Sequence, residues 1–363
     1  MYEYSHGGNA VFERGNENII DLSANINPLG LPNGVAEAII REIPNINRYP
    51  DNFSTALREK TAAFEGVNPD WIIFGNGASD LIFRLPRATK ASKVMVCAPT
   101  FADYERSAIS YGAEVCRYYM CKDSGFGLGD GFIKAVQTEE PKMVYICNPN
   151  NPTGIITEAK VTKELLDCCL QIGAWVVFDE CFMDFVEQAD IHTSKAFLGE
   201  CSNLVILKAF TKMFTMPGVR LGYALCSDKD LINSLYFHGT DWAVSNLAQA
   251  AGIAALDDTK SFIKQTADFV AKERSMIKQE LACLGYSVYE SSANYIFFQS
   301  PYHFDLRDAL DVKEIRVRSC VNYHGLDSTY YRVAVSTTEN NKKLLYAIKE
   351  VSIGKQSQIL QKS

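Results

Sequence analysis

Four short apolar runs constrain this chain more than any other feature: Lys93–Ala98 (KVMVCA), Met143–Cys147 (MVYIC), residues 175–178 (WVVF) and residues 204–207 (LVIL). Each is continuous rather than alternating, which suits strands covered on both faces, as in a parallel sheet. Segments of helical period separate them, at residues 79–88, 102–111 and 159–172. Strand–helix–strand alternation of this kind predicts an open α/β sheet. The last third reads differently. A long helix over residues 259–284 precedes strand candidates at 295–299, 315–318 and 331–335, with a final helix near 340–351, as in a smaller α+β unit.

At 363 residues the chain has length for roughly two domains. The reading is an N-terminal arm over 1–43, holding Gly7-Gly8 and Pro28-Leu-Gly-Leu-Pro32, a large domain over 44–258 and a small one over 259–363. Acidic residues outnumber basic ones, 43 to 36, with no long run of either sign. Nucleic acid and anionic membrane both demand clustered Lys and Arg, so neither is expected as a partner. The polar stretch Met1–Asn9 does not read as a signal peptide, and no run approaches the ~18 apolar residues of a spanning helix. Eleven cysteines without Cys-x2-Cys spacing predict reduced thiols, a cytoplasmic location and no metal site.

Four segments carry chemistry. Gly75-Asn-Gly-Ala-Ser-Asp80 follows an apolar run and opens a helix, where glycine lets backbone approach an anion and the first helical turn offers unpaired N–H groups. Taken alone, it reads more readily as an ordinary turn with Ser79 or Asp80 as N-cap. Asn148-Pro-Asn-Asn-Pro-Thr-Gly154 makes a rigid turn at a strand's carboxyl end, the edge where open α/β sheets bind ligands. Asp179-Glu180 ends the third run. A carboxylate there is either an expensive cap or a partner for something cationic, and Asp179 is the better buried candidate. In Leu207-Lys-Ala-Phe-Thr-Lys-Met-Phe-Thr-Met-Pro-Gly-Val-Arg220, Lys212 lies among Phe210, Met213 and Phe214. Apolar surroundings lower an ammonium's pKa and favour the free amine that forms a Schiff base. Lys208 competes, at the strand's end, and Arg220 could reach an anion.

These four segments, in this order, resemble the fold type I pyridoxal-phosphate enzymes of the class I/II aminotransferase group. The resemblance implies a large domain with a mostly parallel seven-stranded sheet, a smaller α+β C-terminal domain, and a homodimer with its active sites at the subunit interface. It implies pyridoxal 5′-phosphate as cofactor, held by a Schiff base to Lys212, with Asp179 on the ring nitrogen and Asn151 on the phenolic oxygen. The backbone of Gly77 and Ala78, with Ser79, Thr211 and Arg220, resembles the phosphate cradle. Phe101 is similar to the aromatic stacked on the ring, Tyr49 to the tyrosine offered by the neighbouring subunit, and Arg332 to the clamp on the substrate carboxylate. Two positions depart from the group's pattern: Phe182 stands where a tyrosine usually donates to the phenolic oxygen, and Ala209 where Ser or Thr often joins the phosphate cradle.

His6-Gly-Gly-Asn9, Asp21-Leu-Ser-Ala-Asn-Ile-Asn-Pro-Leu-Gly30, Phe182 and the segment from Arg316 to Leu326 resemble the threonine-phosphate decarboxylases of cobalamin biosynthesis more than the related histidinol-phosphate aminotransferases. The resemblance implies a small phosphorylated amino acid as substrate, with His6, Asn25 and Arg318 as candidates for its phosphate and Asn151 and Arg332 near its carboxylate. His324 is a weaker candidate. Arg316 and Arg318, alternating on one strand, are expected to leave one of the pair facing solvent. Decarboxylation of L-threonine O-3-phosphate is the leading expectation and transamination of histidinol phosphate the alternative.

Overall fold

The computed structural model describes residues 7–8, 19–257, 259–302 and 304–360, with side chains as far as Ile353. In chain order it begins with β1 (Ile20–Asp21), α1 (Val35–Glu42) and α2 (Thr55–Glu65). The central part runs β2 (Ile72–Asn76), α3 (Ala78–Ala88), β3 (Lys93–Ala98), α4 (Ala102–Tyr111), β4 (Glu114–Tyr119), α5 (Asp130–Glu139), β5 (Met143–Cys147), α6 (Ala159–Gln171) and β6 (Trp175–Asp179). Then come β7 (Leu204–Ala209), α7 (Phe210–Met213), β8 (Leu221–Leu225), α8 (Lys229–Phe237) and α9 (Asn246–Ala255). The carboxyl part holds α10 (Thr259–Cys283), β9 (Ser287–Val288), β10 (Tyr295–Gln299), α11 (Leu306–Asp311), β11 (Ile315–Arg316), β12 (Arg318–Ser319), β13 (Tyr330–Ala334) and α12 (Thr338–Leu360).

Seven strands form one mixed sheet, as the resemblance implies, in the order β2-β8-β7-β6-β5-β3-β4. The fully buried runs of β3, β5, β6 and β7 make its parallel centre, with helices on both faces. Only β8 runs against its neighbours. The link from β7 is one short helix and a turn, and it brings β8 back antiparallel beside β7. The edge strand β4 mixes half-buried and exposed positions, and its composition, EVCRYY, holds no continuous apolar run to mark it as a strand.

A second sheet, β12-β13-β10-β9, belongs to the smaller C-terminal domain and packs against α10, which in turn meets α12. Residues 315–318 are not the single strand expected. They break at Val317, so that β11 pairs with β1 in a separate two-stranded sheet while β12 pairs with β13. The arm is thereby stitched to the C-terminal part, and Leu22 adds a backbone bond from Ala334 N.

The chain reverses direction across the large sheet between β3 and β5, since β3 lies between β4 and β5 in strand order. At such a switch point two strand ends feed loops that diverge, leaving a crevice. Here the two loops are tied together: Thr100 Oγ1 donates to Asn150 Oδ1 at 2.7 Å, and Asn150 Nδ2 donates to Pro99 O at 3.0 Å.

Candidate active site

The crevice gathers most of the residues singled out in the sequence. Asp179 ends β6, is 7% exposed, and aligns with Cys147 on β5, whose successor Asn148 donates its N–H to Asp179 O at 2.8 Å. The carboxylate is itself held from two sides. Tyr104 OH donates to Oδ2 at 2.6 Å and Cys181 N to Oδ1 at 3.0 Å. Glu180 is fully buried too, but points elsewhere, accepting from Thr193 Oγ1, Ser194 Oγ and Ser194 N.

Lys212 lies on α7 just beyond β7, half-buried, its Nζ 5.9 Å above the Phe182 ring and 2.8 Å from Ala24 O. Burial lowers its pKa, and the guanidiniums of Arg332 and Arg220 add to that, bringing it to about 8. Lys208, the rival lysine, is buried and committed elsewhere: its ammonium meets Asp184 at 2.8 Å and Glu65 at 3.3 Å. Burial opposes its charge, but the carboxylates of Asp184, Glu65 and Glu180 hold it well above the usual lysine range.

At the N-terminus of α3, Gly77 adopts φ +77°, and a Cβ built there would lie 2.5 Å from Arg220 Nη2. The guanidinium therefore hangs directly over the glycine, steadied by Nη1 donating to Pro217 O at 3.2 Å. Ala78 is buried behind it, Ser79 half-buried on the first turn and Thr211 half-buried at the start of α7. Phe101 caps α4, with its ring edge-on to Tyr104 at 5.5 Å.

On the opposite wall, Arg332 of β13 is buried and splits its donors. Nη1 goes to Asn151 Oδ1, and Nη2 to Ser23 O at 2.6 Å. With its amide oxygen turned to the guanidinium, Asn25 accepts from Nε at 3.3 Å and Nη1 at 3.2 Å. Tyr295 supports the same group from below, its ring centre 5.4 Å away and its hydroxyl on Asn150 O at 2.7 Å. Arg318 is the cross-strand partner of Arg332 and lies 5.5 Å over the Tyr323 ring, whose hydroxyl is 3.4 Å from Asn151 Oδ1.

Some expectations change. Because the strand breaks at Val317, neither Arg316 nor Arg318 simply faces solvent. Both are half-buried and line a cavity of about 170 Å³ shared with Gly7, Gly8 and Ser23. His324 is exposed and lies 3.4 Å from Glu105 instead. Tyr49 is 78% exposed and stacks on Trp242 with ring centres 4.3 Å apart. His6 lies outside the described residues. The sequence reading missed Tyr104, Tyr295, Tyr323 and the carbonyls of Ser23 and Ala24. Only Tyr104 carried a usable signal, one helical turn after Phe101 and so on the same face of α4.

This geometry agrees with what the chain resembles. The family model of class I and II aminotransferases matches residues 17–348. The chain belongs to that family. It is 33% identical to threonine-phosphate decarboxylase of Salmonella typhimurium, over 98% of each protein. It is also 33% identical to histidinol-phosphate aminotransferase of Bacillus subtilis, over 93% of each. Among solved structures, histidinol-phosphate aminotransferase of Clostridium acetobutylicum superimposes with a TM-score of 0.86 at 28% identity, covering 93% of this chain and 100% of that one. The fold is that of the type I pyridoxal-phosphate enzymes.

The residues of the crevice fit that cofactor. A glycine at the N-terminus of α3, where a Cβ would fill the space under Arg220, leaves room for a phosphate between the helix end and the guanidinium. A lysine with a pKa of about 8 supplies free amine near neutrality. A buried carboxylate with two donors supplies a fixed negative charge for a ring nitrogen. No helix among the described residues is long and apolar enough to cross a membrane.

Proposed function

We propose that this chain decarboxylates L-threonine O-3-phosphate, with transamination of histidinol phosphate or a similar amino phosphate as the alternative. Pyridoxal 5′-phosphate is the cofactor. Lys212 would carry it, Asp179 would face its ring nitrogen, Asn151 its phenolic oxygen, Phe101 its ring, and Gly77, Ala78, Ser79, Thr211 and Arg220 its phosphate. When bound, it draws electron density from the bonds at the substrate Cα.

The observation that supports this substrate is the pairing of Arg318 with Arg332 across neighbouring strands. Two guanidiniums on one wall suit a short molecule carrying two anions. Arg332, already surrounded by acceptors in Asn25, Asn151 and Ser23, takes the carboxylate. Arg318, with Asn25 and His6, takes the phosphate. Histidinol phosphate has a phosphate but no carboxylate, so it would leave one of these sites without its anion. Loss of carbon dioxide leaves an electron pair at Cα, and Lys212 Nζ returns a proton there. Transamination instead needs the same nitrogen to remove the Cα proton, which is why the lysine alone does not choose between them. The relative in Bacillus subtilis, at equal identity, supports that alternative.

The functional unit proposed is a homodimer. Ile40, Ile43, Ile46, Tyr49, Phe53, Phe237 and Trp242 are large apolar residues exposed on this protomer, on α1, between α1 and α2, at the end of α8 and just beyond it. Tyr49 stacks on Trp242 and Phe53 meets Tyr236 edge-on, which draws the two segments into one patch. A second copy covering it would bring Tyr49 toward the neighbouring crevice. The deciding experiment supplies holoprotein with threonine phosphate and no keto acid. Carbon dioxide released in many turnovers supports decarboxylation. A single turnover that continues only when 2-oxoglutarate is added overturns it in favour of transamination.

A further inference from the structure

We infer that Tyr104 is a positioning residue for the cofactor ring: its hydroxyl, 2.6 Å from Asp179 Oδ2, holds that carboxylate as a fixed acceptor for the ring nitrogen. The inference rests on the place of Asp179 proposed above. Asp179 is deep in a setting that opposes charge, surrounded by Tyr104 of α4, Tyr145 and Cys147 of β5, Cys181 beyond β6 and Tyr295 of β10. Those neighbours are uncharged at neutral pH, because burial raises every one of their pKa values and the Asp179 charge adds to it. A carboxylate so placed needs hydrogen-bond donors to offset the water it has lost. Tyr104 OH and Cys181 N meet that need, one on each carboxylate oxygen, and the Cys181 thiol adds to them.

Tyr104 can act only as a donor toward Asp179. Its ring is fully buried and stacked on Tyr145 with centres 5.0 Å apart and planes 10° from parallel. The stack fixes the phenol's direction, and burial together with the Asp179 charge keeps its proton on. A hydrogen bond to the charged form of a carboxylate stabilises that form. With Oδ2 taken by Tyr104 and Oδ1 by Cys181 N, the carboxylate cannot rotate without losing both bonds. Geometry on α4 links this to ring placement. Phe101 and Tyr104 stand one turn apart with their rings in edge contact, so one helix offers both the aromatic wall and the brace for the carboxylate.

The test uses holoprotein carrying pyridoxal phosphate labelled with 15N in its ring, and follows that resonance as pH rises. Tyr104→Phe, which keeps the stack and removes one hydroxyl, is expected to lose the ring proton about one pH unit or more below wild type, a tenfold loss of proton affinity. Tyr145→Phe removes an equally buried hydroxyl from the same stack, one that donates to Ile82 O rather than Asp179. It should titrate as wild type does. Asp179→Asn sets the limit in which the ring nitrogen is unprotonated throughout. If Asp179→Asn titrates like wild type, the place given to Asp179 falls and the inference falls with it. If Asp179→Asn shifts but Tyr104→Phe does not, or Tyr145→Phe shifts equally, Tyr104 is only part of the core and the inference alone is overturned.

Discussion

At Lys212 a single atom's surroundings set when it can react. Ordinary lysine amine is scarce at neutral pH, whereas here burial, then Arg332 and Arg220, bring the pKa to about 8. Below that value the group is an ammonium without a nucleophilic lone pair, and above it the amine is free. The rate at which apoprotein captures pyridoxal phosphate should therefore climb as pH rises through about 8 and level off beyond it, as stopped-flow absorbance would show. Reduction with borohydride followed by peptide mass spectrometry should find the cofactor on Lys212 and nowhere in Lys212→Ala. A cofactor mass on Lys208 instead would contradict the reading. Gly77 makes the complementary case, since its importance is what it lacks. A methyl there would lie 2.5 Å from Arg220 Nη2, at a φ that L side chains rarely adopt. Gly77→Ala should weaken cofactor binding by about tenfold or more, roughly 1.4 kcal/mol, by equilibrium dialysis.

Elements hold these residues in place, and the tightest joint lies where α2, β7 and β8 meet. Glu65 on α2 faces Lys208 of β7, receives Tyr223 OH of β8 at 2.6 Å and pairs with Lys195 at 2.9 Å. Burial alone would raise the Glu65 pKa, but the ammoniums of Lys208 and Lys195 and the Tyr223 hydroxyl override it and bring the group down to about 2. Because the folded value lies below the ordinary 4.5, this carboxylate stabilises the fold fully above about 4.5, and that contribution fades as pH falls toward 2. Lys208→Met leaves Glu65 and Asp184 without their shared cation. Urea unfolding at neutral pH should show a loss of about 3–5 kcal/mol, with a flatter dependence on pH below 4.5. No sequence pattern revealed this joint, because its members come from four separate segments, each unremarkable alone. Legibility followed locality. The buried strands β3, β5, β6 and β7 were plain because a run covered on both faces is apolar through its middle, with Asp179 and Lys208 only toward the carboxyl ends. The half-exposed β4 and the break at Val317 depend on which neighbour the chain meets, and no run of residues records that. Lys212, Asp179 and the Asn148–Gly154 turn were likewise visible because each follows a buried strand directly. Tyr295, Tyr323 and the Ser23 carbonyl enter the crevice from the C-terminal part and the arm, brought there only by tertiary packing.

At the scale of the whole molecule, the exposed apolar face and the position of Tyr49 make a joint demand. Tyr49 is 78% exposed and rests on Trp242, with no contact to Lys212 or Asp179 of its own protomer among the described hydrogen bonds and ring contacts. A lone protomer would show water a patch that includes Ile40, Ile46, Phe53 and Phe237, each more than half exposed, beyond the scattered apolar residues usual on a monomer's surface. If a second copy covers that face, a charge placed within it should be costly to assembly but not to the fold. Ile46→Asp should sediment as a monomer where wild type sediments as a dimer, while unchanged far-UV circular dichroism reports an intact protomer. If Tyr49 serves the neighbouring crevice, two defective chains should repair each other. Tyr49→Ala lacks the residue it lends and Lys212→Ala lacks the amine it uses. In a mixed dimer, one crevice combines the Lys212 of the first chain with the Tyr49 of the second. Mixing the two variants under conditions that exchange subunits should therefore recover activity that neither has alone. No recovery, with mixed dimers demonstrated by mass spectrometry, would confine each crevice to its own chain.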